Sequence, residues 1–270
     1  MPIILPNSDT PRDHLVIPDD HAYPEDNFRR FKWLGEYILE HMPPVIVKLG
    51  DSWDMPSLCT YDQGKKEFVF KNVKADIESG HKAEALMFGP MIKHNKLMSK
   101  WKKKQYQPIV IKILGNHEYR VKKLLSYEPR WEGTLSMNDF KTRLPINEIV
   151  VDYMDFVVID GIAYSHFFAS GAMGRAFASA RAMLAKKGMS CTMGHTHTKD
   201  VATFVKPTGE QCVGLIAGSF HDPDHKSFAG PQVDALWWNG LIHCHDVKNG
   251  SYDLEEISVQ RLAKMYSQMV

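Results

Sequence analysis

The chain has 270 residues, of which 44% are hydrophobic and 24% are charged. This composition is typical of a folded globular protein and argues against the disordered, fibrous and membrane-spanning classes. Lys and Arg (33) nearly balance Asp and Glu (32), so the formal charge of +1 excludes a global field attracting nucleic acid or anionic lipid.

The amino-terminal part of the sequence predicts a strand, a helix and a second strand. Residues 14–18 and 45–49 are short apolar runs typical of buried strands, and apolar residues recur at helical spacing within 25–41. This order predicts a right-handed parallel crossover. We therefore expect Asp19 and Asp51, which follow the two strands, to lie at the same edge of one sheet.

Three further segments repeat the pattern of an apolar strand that ends in polar residues. Residues 109–114 lead into Asn116, and residues 189–193 lead into a Gly-His-Thr-His sequence. Residues 149–168 predict two strands joined by a turn at Asp160-Gly161, the second ending at His166.

The carboxyl-terminal part alternates in the manner of antiparallel strands, with a hairpin turn at Asn249-Gly250. The runs concerned are 213–217, 235–238, 241–247 and 252–259.

Two more helices are predicted. The first covers about 75–104, where Pro90 and two glycines indicate a break, and the second covers 172–187 and is closed by Gly188. With no internal repeat and no low-complexity linker, we predict a single domain over 1–270 with two sheets. Residues 55–107 are expected to be an insertion that elaborates the rim of the active site.

Five predicted strand ends carry side chains rich in lone pairs. Carboxylate oxygens, imidazoles and one amide oxygen suit borderline divalent ions such as Mn, Fe, Zn or Co, and the lack of thiolates argues against a structural zinc site. Seven ligands are too many for one tetrahedral ion, but they suit two ions that share a carboxylate and act on a phosphoryl group. The candidate ligands are Asp19, His21, Asp51, Asn116, His166, His195 and His197.

These motifs resemble those of the calcineurin-like metallophosphoesterase superfamily. In order they are D-x-H (Asp19, His21), G-D-x-x-D (50–54), G-N-H-E (115–118), the isolated His166 and G-H-x-H (194–197). The chain also resembles phage-encoded members in residues 61–65 and in the Tyr119-Arg120 pair after G-N-H-E. The resemblance implies the α/β class, with a four-layer α/β/β/α sandwich of two mixed sheets and a dinuclear site at the carboxyl ends of the strands.

The resemblance also implies a role for each motif residue. Asp19, His21, Asp51 and His197 would bind one divalent ion. Asp51, Asn116, His166 and His195 would bind the other, with Mn the first choice and Fe, Zn, Ni or Co the alternatives.

Residues beside the ligands take the remaining roles. His117 would be the catalytic proton donor to the leaving group, after attack by a hydroxide that bridges the metals. Asp54 would orient the loop or a ligand from behind. Arg120 and Arg175 could bind a substrate phosphate through bidentate hydrogen bonds, although ordinary salt bridges would explain them equally well.

Two departures from the superfamily pattern bear on the substrate. Ala22 stands where many relatives have Gly, and residues 50–54 are not followed by the Arg-Gly of the Ser/Thr protein phosphatases. The second departure argues against a protein phosphatase.

A lysine-rich run at 93–104 contains Trp101 and no acidic residue. It could bind a polyphosphate backbone, or it could be a solvated face.

Two other histidine pairs are interpreted as structural. His243 and His245 share one face of a predicted strand and read as surface residues, because no carboxylate is near them in a strand-end context. The segment 221–225 could line the cleft or bind a metal, but Asp-Pro next to Gly218 and Ser219 reads more simply as a loop.

The sequence therefore predicts a dinuclear metal-dependent phosphoesterase acting on a phosphodiester, in a nucleotide or nucleic acid. Two alternatives remain: a phosphomonoesterase on a nucleotide, metabolite or phosphoprotein, and a non-catalytic metal-binding scaffold or ligand-binding module. The expected partner is a phosphoester substrate, which could be a nucleic acid. We expect no membrane partner, and the sequence does not determine the oligomeric state. Four isolated cysteines, no signal peptide and no long apolar window predict a cytoplasmic protein, in the host cytoplasm for a phage-encoded chain.

Overall fold

The computed structural model describes residues 2–60, 71–222 and 230–268. The strands within these ranges are β1 (Ile3–Ile4), β2 (Arg12–Ile17), β3 (Val45–Lys48), β4 (Ile109–Ile113), β5 (Glu148–Val151), β6 (Val157–Ile159), β7 (Ile162–Ser165), β8 (Ser190–Met193), β9 (Lys199–Val205), β10 (Gln211–Ala217), β11 (Gly240–Lys248) and β12 (Ser251–Ser258). The helices are α1 (Arg29–His41), α2 (Val73–Lys100), α3 (Tyr119–Tyr127), α4 (Ala180–Lys187), α5 (Pro231–Asp234) and α6 (Val259–Tyr266).

The strands form two mixed six-stranded sheets. Sheet I has the order β12-β11-β2-β3-β4-β5, with β2 to β5 parallel and β11 antiparallel to β2. Sheet II has the order β1-β6-β7-β8-β10-β9, with β7, β8 and β10 parallel. The predicted parallel crossover from β2 through α1 to β3 is confirmed.

The two sheets pack face to face around one apolar core. Val47 and Ile111 of sheet I lie in the same buried cluster as Tyr164 and Leu215 of sheet II. Helices α1, α2 and α6 cover the outer face of sheet I, and α4 covers the outer face of sheet II. The predicted α/β class and the sandwich of two mixed sheets flanked by helices are thus confirmed.

The start of α1 is fixed by a buried ion pair that also holds the loop after β2. Asp26 Oδ1 accepts hydrogen bonds from the backbone N–H of Phe28 and from the Arg30 guanidinium. Arg30 also donates to the carbonyl oxygens of Asp20 and Phe220, at 2.7 Å each. A buried guanidinium of this kind is stable only when its donors are satisfied, so the loop carrying Asp20 is held rigidly against α1.

Helix α2 passes through Pro90 without interruption, so the expected break is wrong. Pro90 has no N–H to donate to the Leu86 carbonyl, and α1 approaches the helix at that point. A Cβ placed on Gly35 of α1 would lie 2.7 Å from the Leu86 oxygen. The packing of α1 against α2 stabilises the helix where its own hydrogen bonding is interrupted.

Several boundaries differ from the sequence predictions. Helix α4 begins at Ala180 instead of 172, since Asp200 Oδ2 accepts from the Ala180 N–H at 2.7 Å. The segment 149–168 contributes β5 to sheet I before the β6–β7 hairpin of sheet II. The predicted strand at 235–238 is absent from this described segment, which follows α5 as a turn at 235–236 and then an irregular stretch.

Five of the helices and strands given above were not predicted, namely β1, β9, α3, α5 and α6. The two predicted hairpin turns, at Asp160-Gly161 and Asn249-Gly250, are present. They contact each other, because the Gly250 N–H donates to the Asp160 carbonyl at 2.7 Å.

Helix α2 supplies most of the segment 55–107 and packs on α1. The rim function of that segment and the single-domain organisation stay predictions, and residues 61–65 lie outside the described residues. No helix in the described ranges has the length and hydrophobicity that a membrane crossing requires.

Candidate metal centre

The carboxyl ends of parallel strands from both sheets meet at one end of the sandwich. The loops after β2, β3 and β4 of sheet I face those after β7 and β8 of sheet II. They bring together all seven candidate ligands, hereafter the His–Asp cluster: Asp19, His21, Asp51, Asn116, His166, His195 and His197.

Five residues of the His–Asp cluster have a left-handed backbone. Their φ values lie between 23° and 69°, and the residues are Asp19, His21, Asp51, His195 and His197. Residues other than glycine rarely adopt this conformation, and it is retained where the surrounding structure enforces it, often at functional sites. The concentration of such residues marks this end of the sandwich as a candidate functional site.

Two glycines make room for the carboxylates of the cluster. A Cβ on Gly115 would lie 2.0 Å from Asp51 Oδ1, and a Cβ on Gly194 would lie 2.1 Å from Asp19 Oδ1. These separations are far below van der Waals contact, so only glycine fits at either position. The glycines of the G-N-H-E and G-H-x-H motifs therefore shape the cluster directly.

One half of the cluster is built from Asp19, His21, His197 and Asp51. His197 Nε2 lies 3.2 Å from Asp19 Oδ2 and 3.2 Å from His21 Nε2. His21 Nε2 in turn lies 3.9 Å from Asp51 Oδ2. His21 Nδ1 donates to Asp54 Oδ1 at 3.0 Å, which leaves the Nε2 lone pair directed into the cluster.

The other half is built around His166. Its Nε2 lies 3.4 Å from Asp51 Oδ2, 2.9 Å from Asn116 Oδ1 and 3.1 Å from His195 Nδ1. His166 Nδ1 donates to the Leu49 carbonyl at 2.9 Å, so its Nε2 lone pair also points into the cluster. Asp51 Oδ2 thus belongs to both halves.

A buried carboxylate oxygen in the cluster lacks a hydrogen-bond donor. Asp19 is fully buried, and its Oδ2 accepts from the His195 backbone N–H at 2.7 Å, but its Oδ1 has no hydrogen-bond partner among the described residues. An unsatisfied buried carboxylate oxygen is strongly destabilising. A cation among these donors would satisfy it, so the residues present fit a metal site.

The electrostatics of the cluster keep several histidines neutral. Burial lowers the pKa of His21, His195 and His197 to about 4, with the charge of neighbouring histidines acting in the same direction. Neutral imidazoles have the lone pair that a metal ligand needs.

The two carboxylates of the cluster, Asp19 and Asp51, have pKa values shifted in opposite directions. Burial raises the pKa of Asp19 well above its usual range. For Asp51, burial is overcome by His117, His166 and His21, so its pKa lies below the usual range and the carboxylate is ionised.

His117 lies beside the cluster and is oriented by Asp54. Its Nδ1 donates to the Asp54 carbonyl at 2.7 Å, and its Nε2 lies 3.7 Å from Asp51 Oδ2. Burial opposes protonation of His117, but the carboxylates of Asp51 and Asp54 prevail and raise its pKa to about 9. The Asp54 carboxylate contacts the Nδ1 atoms of both His21 and His117, on the side of each ring opposite Nε2. A residue that orients these two rings is expected in this position.

The two candidate phosphate-binding arginines are placed differently. Arg120 lies at the site, where it donates to the carbonyl oxygens of Asp54 and Met55 and lies 3.1 Å from His117 Nε2. Arg175 is exposed on the loop before α4, and no contact among the described residues joins its side chain to the cluster.

A buried glutamate missed by the sequence analysis supports the site. Glu118 Oε1 accepts from the Trp53 N–H at 2.9 Å, and Oε2 accepts from the Gly115 N–H at 2.7 Å. Burial, together with the charge of Asp51, raises the pKa of Glu118 to about 7. Glu118 thus joins the loop after β3 to the loop after β4. Its position as the last residue of the G-N-H-E motif could have indicated this role from the sequence.

His221 lies in a segment without helix or strand, as predicted for a loop, but it also lines the cleft, which was the alternative interpretation. Its ring stacks on that of His21 at 4.2 Å between centroids, and Trp237 meets the His197 ring edge-on at 4.4 Å. His221, His21 and His197 also offer nitrogen atoms close enough to share an ion. The available signal was β10, which is a strand that ends, like β8, at this side of sheet II.

The lysine-rich run lies away from the cluster. It occupies the end of α2 and the segment leading into the amino end of β4, whereas Asn116 follows the carboxyl end of that strand. At about 3.3 Å per residue, the strand alone separates them by roughly 16 Å. The structure therefore does not bring these lysines to the candidate metal centre.

No protein-family model matches the chain, and no curated protein matches it either.

Proposed function

We propose that this protein is a dinuclear metal-dependent phosphoesterase of the calcineurin-like superfamily, akin to its phage-encoded members, and that its substrate is a phosphodiester. The observation that carries the proposal is the position of Asp51. Its Oδ2 faces His21 on one side and His166 on the other, so one carboxylate oxygen is common to two groups of donors. A shared carboxylate of this kind is what a pair of divalent ions requires.

The donor set fits two ions. The first group is Asp19, His21, Asp51 and His197, and the second is Asp51, Asn116, His166 and His195. Mn is the proposed ion, with Fe, Zn, Ni and Co the alternatives that oxygen and imidazole donors also accept. When bound, such a pair supplies a nucleophile derived from water and neutralises charge on the phosphoryl oxygens.

His117 is proposed to deliver a proton to the leaving oxygen. The hydrogen bond from Nδ1 to Asp54 fixes the ring so that Nε2 faces the cluster. Arg120 Nη2 lies 3.1 Å from that same nitrogen, and a proton on Nε2 excludes this hydrogen bond. We therefore expect the guanidinium to turn toward a bound phosphate when His117 is protonated.

The preference for a nucleotide or nucleic-acid diester is supported by an aromatic side chain at the site. Trp237 is half-buried and lies against His197, so one part of its ring system is available beside the donors. Bases stack on such side chains with little sequence preference.

The compartment is part of the proposal. All four cysteines, namely Cys59, Cys191, Cys212 and Cys244, are free and buried. Free thiols are typical of a reducing compartment, so we propose the cytoplasm, or the host cytoplasm for a phage-encoded chain.

The test is hydrolysis of two probes by metal-stripped protein. Bis-p-nitrophenyl phosphate and p-nitrophenyl phosphate are offered side by side after addition of Mn, Zn, Ni or Mg. Diester turnover that returns with metal and is lost in Asp51→Asn supports the proposal. Faster monoester turnover would assign the monoesterase class instead, and no turnover with any ion would favour a non-catalytic metal-binding protein.

A further inference from the structure

A second group of metal-ligating side chains lies on the outer face of sheet I, near the opposite end of β2. It consists of Asp13 on β2 together with His243 and His245 on β11, and we call it the β11 histidine site. From Asp13 to Asp19, at about 3.3 Å per residue, the chain runs roughly 20 Å along the sheet. The β11 histidine site is therefore separate from the His–Asp cluster.

The interpretation of these two histidines as surface residues is wrong for His243 and incomplete for His245. His243 is 1% exposed, and a carboxylate lies beside each imidazole. The missing signal was the pairing of β11 with β2 and β12, which brings Asp13 and Glu255 to the histidines from distant parts of the chain.

A β-bulge aims the side chains toward one another. The register of β11 against β2 shifts between Cys244 and Val247, and Asp246 adopts a left-handed backbone with φ 52°. The Asp246 N–H donates to Asp13 Oδ1 at 3.0 Å, which fixes the carboxylate. Bulges commonly redirect side chains next to functional sites.

The distances match the spacing of ligands around one small cation. Asp13 Oδ2 lies 3.4 Å from His243 Nε2 and 3.1 Å from His245 Nδ1, and all three atoms lie within 4.8 Å of one another. In a tetrahedral zinc site with bonds of about 2.0 to 2.1 Å, neighbouring ligand atoms are about 3.3 Å apart.

The other nitrogen of each imidazole has its own partner. His243 Nδ1 lies 2.7 Å from the Tyr37 hydroxyl, and His245 Nε2 lies 3.1 Å from Glu255 Oε2. Metal-bound histidines almost always donate their second ring N–H to such an acceptor, which holds the ring in the binding orientation. Both rings thus present one nitrogen toward the same Asp13 oxygen.

One ligand atom is buried and unsatisfied. Within the described part of the chain, His243 Nε2 has no hydrogen-bond partner, although the side chain is almost fully enclosed. The opposite side of the group is open, because the Asp13 and His245 side chains are each 34% exposed. An ion could therefore enter from solvent and keep water as a further ligand.

We propose that Asp13, His243 and His245 bind one borderline divalent cation of the Zn²⁺ class, through Asp13 Oδ2, His243 Nε2 and His245 Nδ1. Two imidazoles and one carboxylate form a donor set that suits Zn, Co, Ni or Cu better than Mg or Ca. The proposal does not depend on the chemistry of the His–Asp cluster.

Counting bound ions tests the proposal. Chelator-stripped wild type, the double variant Asp13→Asn with His245→Gln, and the control His94→Gln on α2 are dialysed against Zn²⁺, and bound zinc is measured by elemental analysis. We expect the double variant to bind one equivalent less than wild type and the control to bind as many. Equal zinc in the double variant and wild type overturns the proposal.

The design separates this site from the His–Asp cluster. The difference of one equivalent is expected whether or not the cluster fills, so failure of the phosphoesterase proposal would leave it unchanged. Hydrolysis by the double variant should equal that of wild type if the wild type is active.

A measurement on the wild-type protein tests the proposal even if the double variant does not fold. Anomalous diffraction at the zinc edge, from wild-type crystals soaked in Zn²⁺, should give a peak between Asp13, His243 and His245. No peak there overturns the proposal.

Discussion

The His117 ring is held by Asp54 through two oxygen atoms. Nδ1 of His117 lies 2.7 Å from the Asp54 carbonyl oxygen and 3.1 Å from its Oδ1, and the same Oδ1 lies 3.0 Å from His21 Nδ1. One carboxylate therefore orients the proposed proton donor and a proposed metal ligand together. This arrangement gives Asp54 a measurable role without direct contact with the substrate.

Replacing Asp54 with Asn should lower kcat by about tenfold to a hundredfold, the range typical of residues that orient metal ligands. Asn keeps the size of the side chain and removes its charge, so the fold should persist. Steady-state hydrolysis of bis-p-nitrophenyl phosphate measures the effect, with the exposed Asp9→Asn as the matched control. Unchanged kcat in Asp54→Asn would contradict the orienting role.

His117→Gln should affect substrates according to their leaving group. A proton donor matters most for a poor leaving group, so a nucleoside alkoxide should lose about a hundredfold to ten-thousandfold in kcat. A p-nitrophenolate needs less assistance and should lose less. Equal losses for both substrates, with bound metal unchanged, would remove His117 from the donor role and leave it a positioning residue.

Gly194→Ala should disrupt the cluster from the backbone. Its new Cβ would meet the buried Asp19 Oδ1 at 2.1 Å, so the carboxylate or the loop must move. We expect a loss of about 1 to 3 kcal/mol in the free energy of unfolding, as for other overpacked sites, together with weaker Mn binding. Gly171→Ala is the control, since its Cβ would meet no atom of the described residues within 4 Å. Denaturant unfolding and Mn titration of both variants check the prediction, which fails if they behave alike.

The metal-free protein should lose stability in mild acid. Burial, and secondly the charge of neighbouring histidines, lowers the pKa of His195 to about 4. Burial also lowers the pKa of His21 to about 4, and it lowers the pKa of the distant His14. Below pH 6.5 the unfolded chain takes up protons at these histidines while the folded chain does not, so unfolding becomes more favourable. The stability that these three histidines contribute is complete above pH 6.5 and is lost as the pH falls toward 4. The raised pKa of Glu118 acts in the opposite direction as the pH falls from 7 to 4.5.

Thermal unfolding of chelator-treated protein between pH 8 and pH 4 tests this expectation. The Tm should fall progressively below pH 6.5, and added Mn should raise the Tm more at pH 7.5 than at pH 5, because protons compete for the ligand nitrogens. An equal rise in Tm with Mn at pH 7.5 and at pH 5 would contradict the assignment of the ligand histidines as buried and neutral.

The strand-end residues of the cluster could be predicted because the signal is local. The apolar runs stop directly before Asp19 and one glycine before Asp51 and Asn116, and parallel strands then bring such ends to one edge. The same logic applied to β10 would have found His221, whose place beside His21 depends on β10 lying next to β8.

Other features depend on contacts between distant parts of the chain. Asp13 reaches His243 only because β11 pairs with β2, and no local pattern around either residue indicates that pairing. Similarly, β9 is an edge strand with mostly exposed side chains, so it lacks the apolar alternation on which strand prediction depends.

The most direct test of the phosphoesterase account is a Mn²⁺ titration of metal-stripped protein, followed by diester hydrolysis. The Asp13→Asn, His245→Gln background is used so that only the His–Asp cluster is counted. The account predicts that turnover rises to a plateau at two bound equivalents and is absent throughout in a further Asp51→Asn variant. A plateau at one equivalent, or no turnover at any Mn²⁺ concentration, would contradict it.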